Sequence, residues 1–187
     1  HLHADNNHFE PIEVALFQME RNGVSQAVLI QGGGNLDNTY LLKCMRRFPN
    51  KFVVVGAVDM GNPAPEQLLE FWVGEGIKGI RLGCGARSAG NDPLAIWRKA
   101  SELGIVVSVP GRVEQFASDG FEEIVESMSE LTIVIEHLGN IPDPEGPRSG
   151  LETEPPYGIS QKMLELSRYP NTYIKVGGFG EISIGRF

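Results

Sequence analysis

Repeated βα units on a parallel sheet, of the kind that close into a (β/α)8 TIM barrel, are the fold this sequence predicts. Three observations predict it. Short apolar, β-branched runs alternate with helix-period segments along the whole chain. The runs read as near-continuous stretches such as Phe52-Val53-Val54-Val55, not as polar–apolar alternations, which is how strands read when helices cover a parallel sheet. Strand starts recur about 25 to 28 residues apart until the last gap, which is about 40.

The chain opens on His1-Leu2-His3, read as the end of a first strand whose earlier part is absent. Ile12, Ala15, Leu16 and Met19 make the one-sided apolar stripe of a helix. Strands are expected over 27–31, 52–58, 79–82, 105–109, 132–136 and 172–176. Phe121, Ile124, Val125 and Met128 repeat the stripe, and Ile159, Met163 and Leu166 give a sparser version. Pro65 and Pro93 suit the first turn of a helix, and Gly23, Gly76 and Gly104 suit helix ends. Trp72 and Trp97 fall on helix faces as packing residues, as does Cys44.

With the clipped first strand the count is seven, whereas a barrel of this type has eight strands and about 250 residues. The expectation is therefore a single barrel domain over residues 1–187, an incomplete barrel of about seven βα units, truncated at both ends and mainly at the C-terminus. The rival is an open doubly wound sheet. Gly32-Gly33-Gly34 lacks the G-x-G-x-x-G spacing of a dinucleotide-binding turn, which counts against it.

Composition narrows the partners. A net charge of −8 over 187 residues, with no Lys/Arg cluster, disfavours nucleic acid. No apolar run approaches the roughly 20 residues of a membrane span. Two cysteines, Cys44 and Cys84, make no disulfide framework, so a cytoplasmic location is the expectation.

The chemistry-bearing residues collect at predicted strand ends. His1 and His3 lie one residue apart, so on a strand both imidazoles point the same way, as a divalent metal requires of nitrogen ligands. His137, closing the sixth strand, joins them as a ligand or stands beside them as a base. Arg81 ends the fourth strand, where a guanidinium suits a substrate carboxylate through a two-pronged fork; a structural ion pair is the equal alternative. Arg112 and Lys175 invite the same reading and together favour an anionic small molecule. His8 is read as solvent-facing, Asp59 as a loop cap and Cys84 as structural. The proline-rich stretch from Gly139 to Gly158 follows His137 directly and is long enough for a lid over the barrel mouth.

These motifs, taken in order, resemble the amidohydrolase-related (amidohydrolase type 2) family of TIM-barrel metal-dependent hydrolases. The resemblance rests on His1-Leu2-His3, Gly23-Val24-Ser25-Gln26-Ala27-Val28-Leu29-Ile30-Gln31 and Ile77-Lys78-Gly79-Ile80-Arg81-Leu82. It continues through Ile133-Val134-Ile135-Glu136-His137-Leu138-Gly139 and Asn171-Thr172-Tyr173-Ile174-Lys175-Val176. It implies one divalent ion, commonly zinc, at His1, His3 and His137, with His137 catalytic and an aspartate after an eighth strand completing the site. Relatives of the decarboxylase branch carry a metal-binding histidine at the end of strand five. Here Val109 runs into Pro110, which cannot ligate, so the resemblance leans toward lactone and ester hydrolases, in which activity without metal is an open alternative. The expected function is metal-assisted hydrolysis of an ester, lactone or amide in a small carboxylated substrate, with the chain alone poorly active. The alternatives are non-oxidative decarboxylation of an unsaturated or aromatic acid, and a degenerate barrel that binds small acids without turnover. An unclosed barrel leaves sheet edges that favour association of copies.

Overall fold

The computed structural model describes residues 4–5, 8–9, 11–32, 34–140 and 160–177. At the N-terminus β1 (Ala4–Asp5) and β2 (His8–Phe9) pair antiparallel in a two-stranded sheet of their own. Where a loop is expected after the first strand, this short ladder stands. The remaining strands form one six-stranded parallel sheet in chain order: β3 (Ala27–Ile30), β4 (Phe52–Gly56), β5 (Gly79–Arg81), β6 (Val106–Val109), β7 (Ile133–Ile135) and β8 (Thr172–Ile174). All six predicted strands are present at their predicted places, each starting or ending within two residues of expectation. Neighbours in the sheet are neighbours in the chain, the order of a barrel and not of a doubly wound sheet, whose strand order reverses at a switch point.

Helices occupy the connections: α1 (Ile12–Arg21), α2 (Thr39–Arg47), α3 (Pro65–Glu75), α4 (Ala95–Glu102), the short α5 (Val113–Phe116) and α6 (Asp119–Ser127). A brief segment, α7 (His137–Asn140), follows β7, and α8 (Gln161–Glu165) runs into a 3-10 turn, Leu166–Arg168. The apolar stripes behave as their spacing requires. Phe121, Ile124, Val125 and Met128 are all buried, as are Ile12 and Met19 of α1, and Met163 and Leu166 near the C-terminus. Trp97 is fully enclosed and donates its indole N–H to Ala86 O at 2.9 Å, while Trp72 packs against the core from a partly buried position. Pro65 opens α3, and Gly23, Gly76 and Gly104 follow helix ends with positive φ. Pro93 departs from expectation. It sits in the turn before α4, because Asp92 makes the turn: its carbonyl accepts from Ala95 N (3.2 Å) and its side chain from Leu94 N (3.1 Å).

The two faces of the sheet differ. Leu29, Val54, Ile80, Val107, Ile133 and Ile135 point at the helices and are buried in the core cluster. Val28 and Val53, register partners on the opposite face, are half exposed, and so is Tyr173 on β8. That second face is the interior of a barrel. It stands open between β3 and β8, which have no further strand partner among the described residues.

No helix among the described residues is long and apolar enough to cross a membrane.

Candidate functional site

Parallel register brings four polar side chains to one place. Arg81, the last residue of β5, is the register partner of Ser108 on β6, and Ser108 is the partner of Val134 on β7, itself paired with Tyr173 on β8. Glu136 and Lys175 follow Val134 and Tyr173 by two residues, so period-two alternation returns them to the same face. The ladder continues past the strand ends to hold them there: Glu136 N donates to Val109 O (3.0 Å) and Lys175 N to Ile135 O (2.8 Å). The result is a polar cluster at the C-terminal rim of the open face, where barrel proteins collect their chemistry.

Glu136 is its centre. The carboxylate is 1% exposed, and it accepts from Arg81 Nη2 at 2.7 Å, Arg81 Nε at 3.1 Å and Ser108 Oγ at 2.7 Å. Lys175 Nζ lies 3.9 Å from its Oε1 and His137 Nε2 lies 3.8 Å from its Oε2. Burial opposes ionisation of this group. The hydrogen bonds from Arg81 and Ser108, with the charges of Arg81 and Lys175, outweigh it and hold the carboxyl below its ordinary range. The third side of Arg81 reaches the β3 end, where Nη1 is 3.4 Å from Gln31 O. Arg81 is thus engaged as a structural ion pair, the alternative weighed against substrate binding, while 16% of its side chain remains exposed.

His137 enters the cluster through a backbone of unusual conformation. His137, Leu138 and Gly139 take φ of 50°, 55° and 76°, three consecutive left-handed residues, two of them not glycine. A left-handed residue other than glycine costs on the order of 1 kcal/mol or more, and such strain concentrates at functional positions. Leu138 N donating to Lys175 O (3.2 Å) and Gly139 N to Glu136 O (2.9 Å) hold the turn. Glycine suits position 139, where φ is positive and a Cβ would crowd the end of the Met163 side chain.

The other anticipated residues fall elsewhere. His1 and His3 lie outside the described residues, as does most of the anticipated lid, 141–159. Arg112 is exposed at the start of α5, and its backbone N–H donates to Gln115 Oε1 at 2.9 Å. Asp59 is a loop cap, accepting from Gly61 N at 2.8 Å. Cys84 is buried with its thiol pushed up to about 12 by desolvation, which suits a packing role. Among the described residues no group of three His, Cys, Asp or Glu side chains could hold a metal ion. A cleft of about 230 Å³ beside α8, lined by Ile135, Leu138, Met163 and Leu166, is apolar and takes no part in the polar cluster.

Sequence reasoning passed over Glu136, Ser108 and Gln31. The available signal was alternation: on parallel strands in this order, an arginine ending one strand and a glutamate ending another face the same side.

A sheet in chain order with a polar cluster at its strand C-termini defines a protein of the barrel class. The amidohydrolase family model matches residues 3–184, and the chain belongs to that family. Its fold is that of an incomplete TIM barrel. A probable 2-pyrone-4,6-dicarboxylic acid hydrolase from Acinetobacter baumannii, solved with citric acid bound, is 20% identical and superposes with a TM-score of 0.67 over 97% of this chain and 70% of its own. A Pseudomonas putida protein assigned the same activity is 23% identical, with a TM-score of 0.65 over 97% of this chain and 64% of its own. A dihydroxybenzoic acid decarboxylase from Polaromonas sp. JS666, solved with manganese and 2-nitroresorcinol, is 15% identical, with a TM-score of 0.60 over 91% and 68% respectively. At these identities the likeness establishes the fold. This chain spans about two thirds of the length of these three structures. No curated protein matches the sequence.

Proposed function

We propose that this chain carries the strand-end site of a hydrolase that opens a C–O or C–N bond, in an ester, lactone or amide, of a small carboxylated molecule. The observation that carries the reading is the convergence of Arg81, Ser108, Glu136, His137 and Lys175 at the rim of one sheet face. Two side-chain cations against one carboxylate leave this cluster with an excess of positive charge, which suits an anionic substrate. Arg81 and Lys175 hold the substrate carboxylate, with Arg112 further out. His137, fixed by its left-handed backbone, takes a proton from the attacking water and returns it to the leaving oxygen or nitrogen.

In the family pattern a divalent ion at His1, His3 and His137 would polarise the carbonyl and acidify its bound water. The described residues contribute only His137 to that set, and Glu136, whose carboxylate lies 3.8 Å from it, is committed to Arg81 and Ser108.

The test is turnover of carboxylated lactones and esters, 2-pyrone-4,6-dicarboxylate among them, with and without added zinc or manganese. His137→Ala should cost about 10²–10⁴-fold in rate; an unchanged rate removes His137 from the mechanism. Release of carbon dioxide instead of a ring-opened or cleaved acid would assign the decarboxylase chemistry, which the proline at position 110 disfavours. Binding without turnover under either metal, with a mass that rises with concentration, would leave a binding barrel.

A further inference from the structure

A guanidinium offers five N–H donors in a fixed plane. In Arg81 the Nε–H and one Nη2–H meet the two oxygens of Glu136, and one Nη1–H faces Gln31 O. Among the described residues no partner meets the other two N–H groups, one on each terminal nitrogen. The side-on edge, Nε with Nη2, is the edge on which an arginine most readily grips a carboxylate with two parallel bonds. Here a carboxylate of the protein already occupies it. That occupant is built in: it is almost fully buried, anchored by the Ser108 hydroxyl, and placed by the β7 ladder.

We infer that Glu136 is a specificity-determining residue, an internal counter-carboxylate that closes the side-on edge of Arg81 and restricts this rim to one substrate carboxylate, met end-on by the terminal nitrogens. The inference rests on the anionic-substrate reading above and adds to it how many carboxylates the cluster accepts and from which side. Without Glu136, the cluster of Arg81 and Lys175 carries one more positive charge and an open fork, so a polycarboxylate gains a second point of attachment. With Glu136, a substrate that presents two carboxylates to this rim meets one receptive edge and one repelling oxygen pair.

The probe is citrate, titrated calorimetrically into the intact chain. Glu136→Gln keeps the shape of the side chain and its bond to Ser108 while removing the charge. It should tighten citrate binding about tenfold, the size of one unit charge a few ångströms away in a partly hydrated site. In Arg81→Gln/Glu136→Gln the gain should vanish, because the charge left uncompensated in Glu136→Gln is that of Arg81. A folded Glu136→Gln protein that binds citrate no better than the parent overturns the inference. Nitrogen-15 NMR of the parent gives a check that needs no folded variant at position 136. Citrate should shift the Arg81 Nη signals and leave the Nε–H signal in place; movement of the Nε–H signal means that citrate displaces Glu136, and the inference fails. Absence of citrate binding in parent and variant alike overturns both this inference and the anionic-substrate reading. Citrate binding that tightens in the variant, in a chain that hydrolyses nothing, sinks the hydrolase reading alone.

Discussion

Arg81 and Glu136, 55 residues apart in sequence, form a two-point ion pair of 2.7 and 3.1 Å that ties the end of β5 to the end of β7 across β6. The strand between them contributes Ser108, whose hydroxyl completes the set at 2.7 Å. Three adjacent strand ends are thereby locked in register by one buried carboxylate. Such a pair is weak evidence for stability in itself, because desolvation of both ions offsets their attraction. Its consequence appears when one partner is taken away.

Arg81→Met should destabilise the chain by about 3–5 kcal/mol, the usual cost of leaving a buried charge without its partner. Arg81→Met/Glu136→Met should recover much of that loss, since no charge then remains to be solvated. Urea titrations of the parent, both single variants and the double variant give the coupling energy directly. Additive losses would mean that the two side chains act separately and that the pair is only a geometric coincidence.

The same pair sets a pH dependence with a definite sign. The Glu136 carboxyl in the folded chain titrates below its ordinary value of 4.5. The unfolded chain therefore binds the proton first as pH falls, and the stabilisation is fully present above about 4.5. It is lost as pH drops from there through the lowered folded value. Glu136→Gln should flatten the fall of stability with acid in that window. Circular dichroism of parent and variant between pH 5 and pH 2 measures it, and identical acid transitions would remove Glu136 as a contributor.

The sheet was legible because β-branched runs spaced one βα unit apart have few other readings, and each of 27–31, 52–58, 79–82, 105–109, 132–136 and 172–176 holds a strand. The helix stripe of Phe121, Ile124, Val125 and Met128 was equally plain, since burial enforces its period. Pro93 misled because its fixed φ serves a turn as well as a first helical turn, and Asp92 decided for the turn. The site was half legible. Arg81, His137 and Lys175 stood out as polar residues at strand ends, and the structure gathers them. Glu136 did not, because alternation brings it to the face of Arg81 only once the register across β6 is known, and sequence does not fix that register. Nor does sequence disclose three successive left-handed residues, two of them ordinary side chains.

Cys84 provides a prediction of silence. Its thiol is 5% exposed and desolvated enough to titrate at about 12, so at pH 8 the thiolate fraction is on the order of one in ten thousand. Cys44 is likewise buried and shifted upward by desolvation. Iodoacetamide at pH 8 should leave both cysteines unmodified in the native chain and alkylate both in urea, as read by mass spectrometry. Rapid labelling of native Cys84 would show that the Gly83–Gly85 turn opens readily, and its structural assignment would fall.

Gly111 tests how tightly the rim of β6 is packed. A Cβ at this position would clash with Cys84 Sγ and lie 2.9 Å from Phe116 Cζ, both buried. Its φ is not positive, so the penalty for an added methyl is steric and not conformational. Overpacking of this kind typically costs about 1–3 kcal/mol. Gly111→Ala should therefore lower the Tm, and Gly111→Ala/Cys84→Ala should restore part of the loss, because the small side chain makes room for the methyl. Cys84→Ala alone opens a void and should destabilise, so a positive coupling between the two sites is the diagnostic sign. If both losses simply add, the loop after β6 moves away from Cys84 to accept the methyl, and the contact between Gly111 and Cys84 does not constrain the rim.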